Sequence, residues 1–87
     1  MSVTLRLTQM LAQAVGTNVT QVVSGSTVAE VLDDLFANRP GLRGHIVDET
    51  GAIRPHVAVF VDDTRAGLDT DVPDNATVYV LHAVSGG

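Results

Sequence analysis

The last six residues of the chain, His82-Ala83-Val84-Ser85-Gly86-Gly87, place a glycine pair shortly after an apolar run at residues 78–81. Because glycine has no Cβ, two in succession give a thin backbone that can enter a narrow cleft, with the carboxylate of Gly87 at its tip. The pattern indicates a carboxylate offered for chemistry. A frayed chain end is the alternative interpretation, although the short spacing from the apolar run favours an anchored tail.

Other residue types that could do chemistry lack the spacing that their chemistry requires. The three histidines, His45, His56 and His82, show no metal-ligand spacing and have no cysteine near them. The segment at residues 69–74 contains three aspartates, but it lacks the glycine and the closing glutamate of a calcium loop. Ser85 has no nucleophile-elbow motif. The sequence therefore predicts neither a metal site nor a hydrolase.

Composition limits the remaining functions. The chain has 87 residues, of which 45% are hydrophobic, and this is enough for one small domain. The net charge of −5 disfavours nucleic acid and anionic membranes as partners. The N-terminus alternates in polarity, and apolar runs such as residues 57–61 are too short to span a bilayer. We therefore predict a cytoplasmic protein without a signal peptide.

The chain contains neither cysteine nor lysine, so disulfides are excluded and all five basic residues are arginines. A chain with an activated terminal carboxylate gains from having no side-chain amine or thiol that could attack it. An arginine-favouring genome explains the same composition, and the sequence leaves both interpretations open.

The first half of the chain predicts a hairpin followed by a helix. Apolar residues alternate with polar ones over residues 3–7, as in a strand with one buried face, and residues 19–23 return to β-forming types. Residues 9–16 are interpreted as part of a long hairpin loop. Thr27 and Glu30 fit a capping box that starts a helix at Val28. Its buried stripe has helical spacing: Val28, Val31, Leu32, Leu35 and Phe36.

The second half predicts three more strands. Residues 42–47 are interpreted as a short turn, and residues 48–51 as a chain reversal. A strand over residues 56–61 is followed by a tight hairpin at Asp62-Asp63 and a short return strand. After the loop of residues 67–75, residues 77–83 form the final strand, whose valines should share the core with the helix.

These elements predict an α+β fold in which a mixed sheet of four to five strands packs on one main helix. The first and last strands would lie side by side as a central parallel pair, which is the β-grasp arrangement of ubiquitin-like domains. We predict a β-grasp domain over residues 1–83 and a flexible tail over residues 84–87.

The sequence resembles the ubiquitin-like sulfur carrier proteins of the ThiS/MoaD family over most of its length. The resemblance depends on the helix at 27–35, the Pro73-Asp74 turn before the last strand, and the ending at 83–87. Residues 53–65 are similar to the branch that includes carriers for cysteine biosynthesis and homologues of the molybdopterin synthase small subunit. Two departures are Asn75, where the family usually has glycine, and His82, where many members have proline.

The resemblance implies that the chain is a carrier and not an enzyme. A ubiquitin-activating-like enzyme would use ATP to adenylate Gly87, and a sulfur donor would then convert it to a thiocarboxylate. Gly86 would be the slim neighbour that lets the tail thread into the cleft. The carrier itself would bind no cofactor and would be a monomer when free. Its partners would be the activating enzyme and a biosynthetic enzyme that accepts sulfur for cysteine, a cofactor or a natural product.

Partner binding is expected on the sheet face that points away from the helix. Strand alternation places Phe60, Tyr79 and Leu81 there, unless a loop such as residues 67–75 covers them. Val84, in the tail, would extend this surface. Arg6 and Arg65 would flank it and contact an acidic rim on the enzyme, although exposed arginines also serve solubility alone.

Two alternatives of other functional classes stay open at this point. The chain could be the small subunit of a molybdopterin synthase complex, with its tail held permanently in a large subunit. It could also be a ubiquitin-like modifier or a binding module without sulfur chemistry.

Overall fold

Five strands and three α-helices form within residues 2–82, the part of the chain that the computed structural model describes. The strands are β1 (Ser2–Leu7), β2 (Thr20–Ser24), β3 (Val57–Val61), β4 (Thr64–Ala66) and β5 (Thr77–His82). The helices are α1 (Gln9–Val15), α2 (Val28–Asn38) and α3 (Arg43–Ile46), and a 3₁₀ turn at Pro40–Leu42 precedes α3. None of these helices within residues 2–82 has the length and apolar character needed to cross a bilayer.

The strands form one mixed sheet in the order β2-β1-β5-β3-β4. The central neighbours β1 and β5 run parallel, whereas the other three pairings are antiparallel. The parallel pair requires a long crossover, which here contains α2 and the β3–β4 hairpin. The predicted α+β fold with a β-grasp sheet is confirmed.

Helix α2 packs its apolar stripe against one face of the sheet. All five stripe residues that the helical spacing predicts are buried, and so are the inward residues of β1, β3 and β5. Each fully buried valine or leucine contributes about 1.5–3 kcal/mol relative to an exposed one. The two valines of the last strand, Val78 and Val80, are 0% exposed, which confirms that they share the core with the helix.

Helix α1 occupies the hairpin connection that was predicted to be a loop, so that part of the prediction is wrong. The Thr8 hydroxyl accepts a hydrogen bond from the Leu11 amide at 3.1 Å and caps the helix start. Gly16 ends the helix in the left-handed region at φ 70°. The capping residues were present in the sequence, but seven residues are too few for a clear helical period.

The start of α2 carries a variant of the predicted capping box. The Thr27 hydroxyl accepts from the Glu30 amide at 3.2 Å, as expected. The Glu30 carboxylate, however, accepts from both the amide and the hydroxyl of Ser26 at 2.9 Å, one residue earlier than the usual partner. The hydrogen bond from the Ser26 amide, assisted by that from its hydroxyl, lowers the pKa of Glu30.

The connection from α2 to β3 is more helical than predicted. The predicted turn at residues 42–47 is instead the end of a 3₁₀ turn followed by α3, which buries Leu42 and Ile46. The reversal at residues 48–51 is confirmed: the Asp48 carboxylate accepts from the amide and hydroxyl of Thr50 at 2.9 and 2.6 Å. The Thr50 hydroxyl is the main cause of the lowered pKa of Asp48.

The turns at Asp62 and at Asn75 both adopt left-handed backbone geometry. Asp62, at the β3–β4 hairpin, has φ 54°, and Asn75, just before β5, has φ 68°. Asparagine is one of the few residues besides glycine that accept this left-handed geometry.

Candidate functional site

Strand β5 leads directly to the glycine tail and is supported on both sides. It pairs with β1 over Thr77–Val80 and with β3 over Val78–His82, and the last pair is Val57 with His82. The strand is therefore held in register as far as His82, five residues before Gly87. The predicted site residues Val84, Gly86 and Gly87, and the predicted tail at 84–87, lie outside the described residues.

Four side chains form one row across the outer face of the sheet, the face opposite α2. Strand register places Arg6 beside Tyr79, Tyr79 beside Phe60, and Phe60 beside Arg65. We call these four residues the aromatic row. The guanidinium carbon of Arg65 lies 5.9 Å from the centre of the Phe60 ring, within the range of a cation–π contact. The two rings are half-buried, and the two arginines at the ends of the row are exposed.

Leu81 lies on the same face, one residue before the end of β5. It pairs with Ala58 and is 38% exposed. The sequence thus correctly placed Phe60, Tyr79 and Leu81 on one face of the sheet, with Arg6 and Arg65 beside them. The structure brings these five residues together next to the place where the tail begins.

The loop at residues 67–75 is engaged elsewhere. The Leu68 and Thr70 carbonyls accept from the amides of Ala29 and Val28, both at 3.0 Å, and the Val72 amide donates to the Ser26 carbonyl. These contacts hold the loop at the beginning of α2, on the inner side of the sheet. The loop therefore does not cover the outer face, and the alternative in which it does is wrong.

Sequence reasoning did not identify Val22 as part of the outer face. This residue is 72% exposed, and its partner Thr4 lies on the same face of β1 as Arg6. The signal was available, because Val23 is the buried residue of β2 and strand alternation then turns Val22 outward.

Two histidines that lie far apart in the sequence and show no ligand spacing there are neighbours in the structure. His82 ends β5 opposite Val57, and His56 immediately precedes Val57. Their ring centroids are 6.4 Å apart, and the ring planes differ by 12°. The pair therefore lies at the root of the tail, by which we mean the last residue of β5 and its cross-strand neighbours.

The family of the chain follows from its sequence profile. Residues 5–87 match the model of the ThiS family, so the match includes the second half of β1, the other four strands, α2 and the terminal glycine pair. The chain belongs to the ThiS family.

Individual proteins are similar to this chain over nearly all of their length or all of it. The sulfur carrier protein CysO of Mycobacterium tuberculosis is 31% identical in a 93-residue alignment that covers 100% of both chains. The structure of SAMP1 from Haloferax volcanii superposes with a TM-score of 0.86 at 26% identity and covers 100% of each chain. A chain of the Amycolatopsis orientalis BexX/CysO complex gives 0.85 at 29% identity, covering 98% of this chain and 99% of that one.

Proposed function

We propose that this ThiS-family chain is a sulfur carrier whose terminal carboxylate, on Gly87, is adenylated and then converted to a thiocarboxylate. The observation that supports this most directly is the position of β5, an interior strand that pairs with β1 as far as Val80 and with β3 as far as His82. The tail thus follows one of the three interior strands of the sheet. We propose a domain boundary after residue 83, with the β-grasp body as a scaffold and residues 84–87 as the part that reacts.

Two steps are needed because a carboxylate is a poor electrophile. In the first, a carboxylate oxygen of Gly87 attacks the α-phosphorus of ATP, and pyrophosphate leaves. In the second, a sulfur nucleophile at the oxidation level of sulfide attacks the acyl carbon, and AMP leaves. The activating enzyme would bind the ATP, so the carrier needs no cofactor and no catalytic side chain of its own. Gly86 keeps the backbone thin enough to enter the enzyme's cleft.

The activating enzyme is proposed to bind the outer face of the sheet. The aromatic row and Leu81 combine large apolar groups with two positive charges, on a chain whose net charge is −5. Aromatic and arginine side chains are the types enriched where interfaces gain most of their binding energy. The enzyme surface should therefore have an apolar pocket bordered by acidic residues. Val84 is proposed to continue the contact from the sheet into the cleft.

The sulfur acceptor is proposed to be a biosynthetic enzyme that makes cysteine, a cofactor or a natural product. The family membership and the full-length similarity to CysO, named as a sulfur carrier, support this class of acceptor. A second candidate function is protein modification, which is favoured by the similarity to SAMP1, a small archaeal modifier protein. In that case the activated Gly87 would be transferred to an amine of another protein.

Intact-mass spectrometry separates these functions. The carrier is incubated with a ThiS-type activating enzyme, ATP and sulfide, and a matched reaction omits ATP. We expect a mass gain equal to the difference between one sulfur and one oxygen atom, only when ATP is present. Isopeptide-linked products on other proteins, without this gain, would support the modifier instead. No change in mass with an enzyme that is active on its own carrier would reject the carrier proposal.

The docking face makes a separate prediction. Leu81→Asp and Phe60→Asp should each raise the KM for the carrier in adenylation about tenfold or more, because each places a charge in an apolar contact. Met10→Asp is the matched control, since Met10 is 69% exposed and lies on α1 rather than on the outer face. Thermal unfolding of each variant checks that the fold is intact. Wild-type KM values for both strand variants would remove the outer face from the proposed interface.

A further inference from the structure

The two histidines at the root of the tail lie side by side, and each side chain is a potential metal ligand. Neutral imidazole nitrogen is the commonest protein ligand for zinc and also binds copper and nickel. His56 is exposed and His82 is half-buried, so an ion can reach the space between them from solvent. From this pairing we propose that His56 and His82 bind one divalent transition-metal ion, with Zn²⁺ and Cu²⁺ as the favoured species.

The separation of the rings is close to what a shared ion requires. Zinc binds imidazole nitrogen at about 2.0–2.1 Å, which places the ion about 3 Å from each ring centre and the centres about 5–6 Å apart. The observed separation is 6.4 Å and the rings are stacked, so both rings must turn before their in-plane nitrogens can meet one ion. Side chains at the protein surface change rotamer readily, which allows such a turn.

The sheet fixes the backbone of one ligand and ends next to the other. His82 pairs with Val57, the first residue of β3, and His56 directly precedes Val57 in a turn. The only arginine within two residues of either histidine, Arg54, donates its Nε to the Gly44 carbonyl at 2.7 Å. The excess of acidic residues in the chain also favours the accumulation of cations near its surface.

The site would be open. Within residues 2–82, no group of three or more histidines, cysteines and carboxylates is placed to hold one ion, so water would fill the remaining coordination positions. Such an ion would link the end of β5 to the start of β3. Because it would bind the folded chain, it would also raise the thermal unfolding midpoint by mass action.

Calorimetric titration of untagged protein with zinc chloride, and separately with copper chloride, tests the site. We expect one ion per chain for the wild type. His56→Ala and His82→Ala should each weaken binding about tenfold or more, because even residues that only support a metal ligand contribute that much. His45→Ala is the matched control, since His45 is an exposed histidine on α3. The ion should raise the thermal unfolding midpoint only in the wild type and in this control.

Three results would overturn the proposal. The first is an equal metal affinity in all variants. The second is a loss of metal affinity in the His45→Ala control as large as in the other variants. The third is a loss of metal affinity in only one of His56→Ala and His82→Ala. The last two would indicate binding to single exposed imidazoles. His82→Gln, measured beside His82→Ala, separates the loss of the ligand from a disturbed strand end. None of these measurements uses sulfur transfer, so the metal site and the carrier function can fail independently.

Discussion

Removing Gly87, or adding one residue after it, is expected to abolish thiocarboxylate formation while leaving the stability of the fold unchanged. One residue changes the position of the terminal carboxylate by about 3.5 Å along an extended chain. A displacement of even 1 Å between reacting groups can reduce a rate about a hundredfold. The unfolding midpoint should not respond, because the strand pairing described for β5 lies within residues 77–82, before the altered residues.

The measurement is the rate of ATP-dependent mass gain, compared with that of the wild type. Ser85→Ala is the matched control, since it changes the tail but keeps its length and its glycine pair, and it should react at the wild-type rate. If the shortened and extended chains both form thiocarboxylate at the wild-type rate, Gly87 is not the reacting residue. Loss of reaction together with a lower unfolding midpoint would show that the tail contributes to the fold instead.

The strongly periodic parts of the chain were predictable from sequence. The stripe of α2 and the alternation in β1, β3 and β5 fix which residues face the core, and strand alternation alone then places Phe60, Tyr79 and Leu81 outward. The turns at Asp62 and Asn75 were predictable for a related reason, since few residue types accept positive φ. In these segments, local chemistry and tertiary packing favour the same structure.

Short helices and contacts between distant residues were not predictable in the same way. Helix α1 has only seven residues, which is too short for a clear helical period. Its capping residue Thr8 does not mark a helix start by itself, because many loop residues also have side-chain hydroxyls. The pairing of His56 with His82 joins residues 26 positions apart, and it depends on the register of β3 on β5. A different register would pair His82 with another residue of β3, farther from His56. Only the structure reveals this pair.

Gly25→Ala is expected to be the most destabilising exchange among the glycines of the scaffold. Gly25 lies between β2 and α2 at φ 152°, where a side chain is strained. An added Cβ would lie 2.7 Å from the Val31 amide nitrogen and 2.8 Å from the Glu30 Cβ, so the first turn of α2 would have to move. We expect the free energy of unfolding to fall by about 3 kcal/mol, from backbone strain and overpacking together.

Urea unfolding measures this change, and two other glycines separate its causes. Gly16 has φ 70°, but no atom lies within 4 Å of an added Cβ. Gly16→Ala should therefore lower the free energy of unfolding by only about 1 kcal/mol, through backbone strain alone. Gly44→Ala, inside α3, has open space and ordinary helical geometry, so its stability should stay the same or rise slightly. Equal costs for Gly25→Ala and Gly16→Ala would show that α2 is free to shift. In that case the close contact between Gly25 and the first turn of α2 would not fix the position of this helix against the sheet, whose strand β5 leads to the tail.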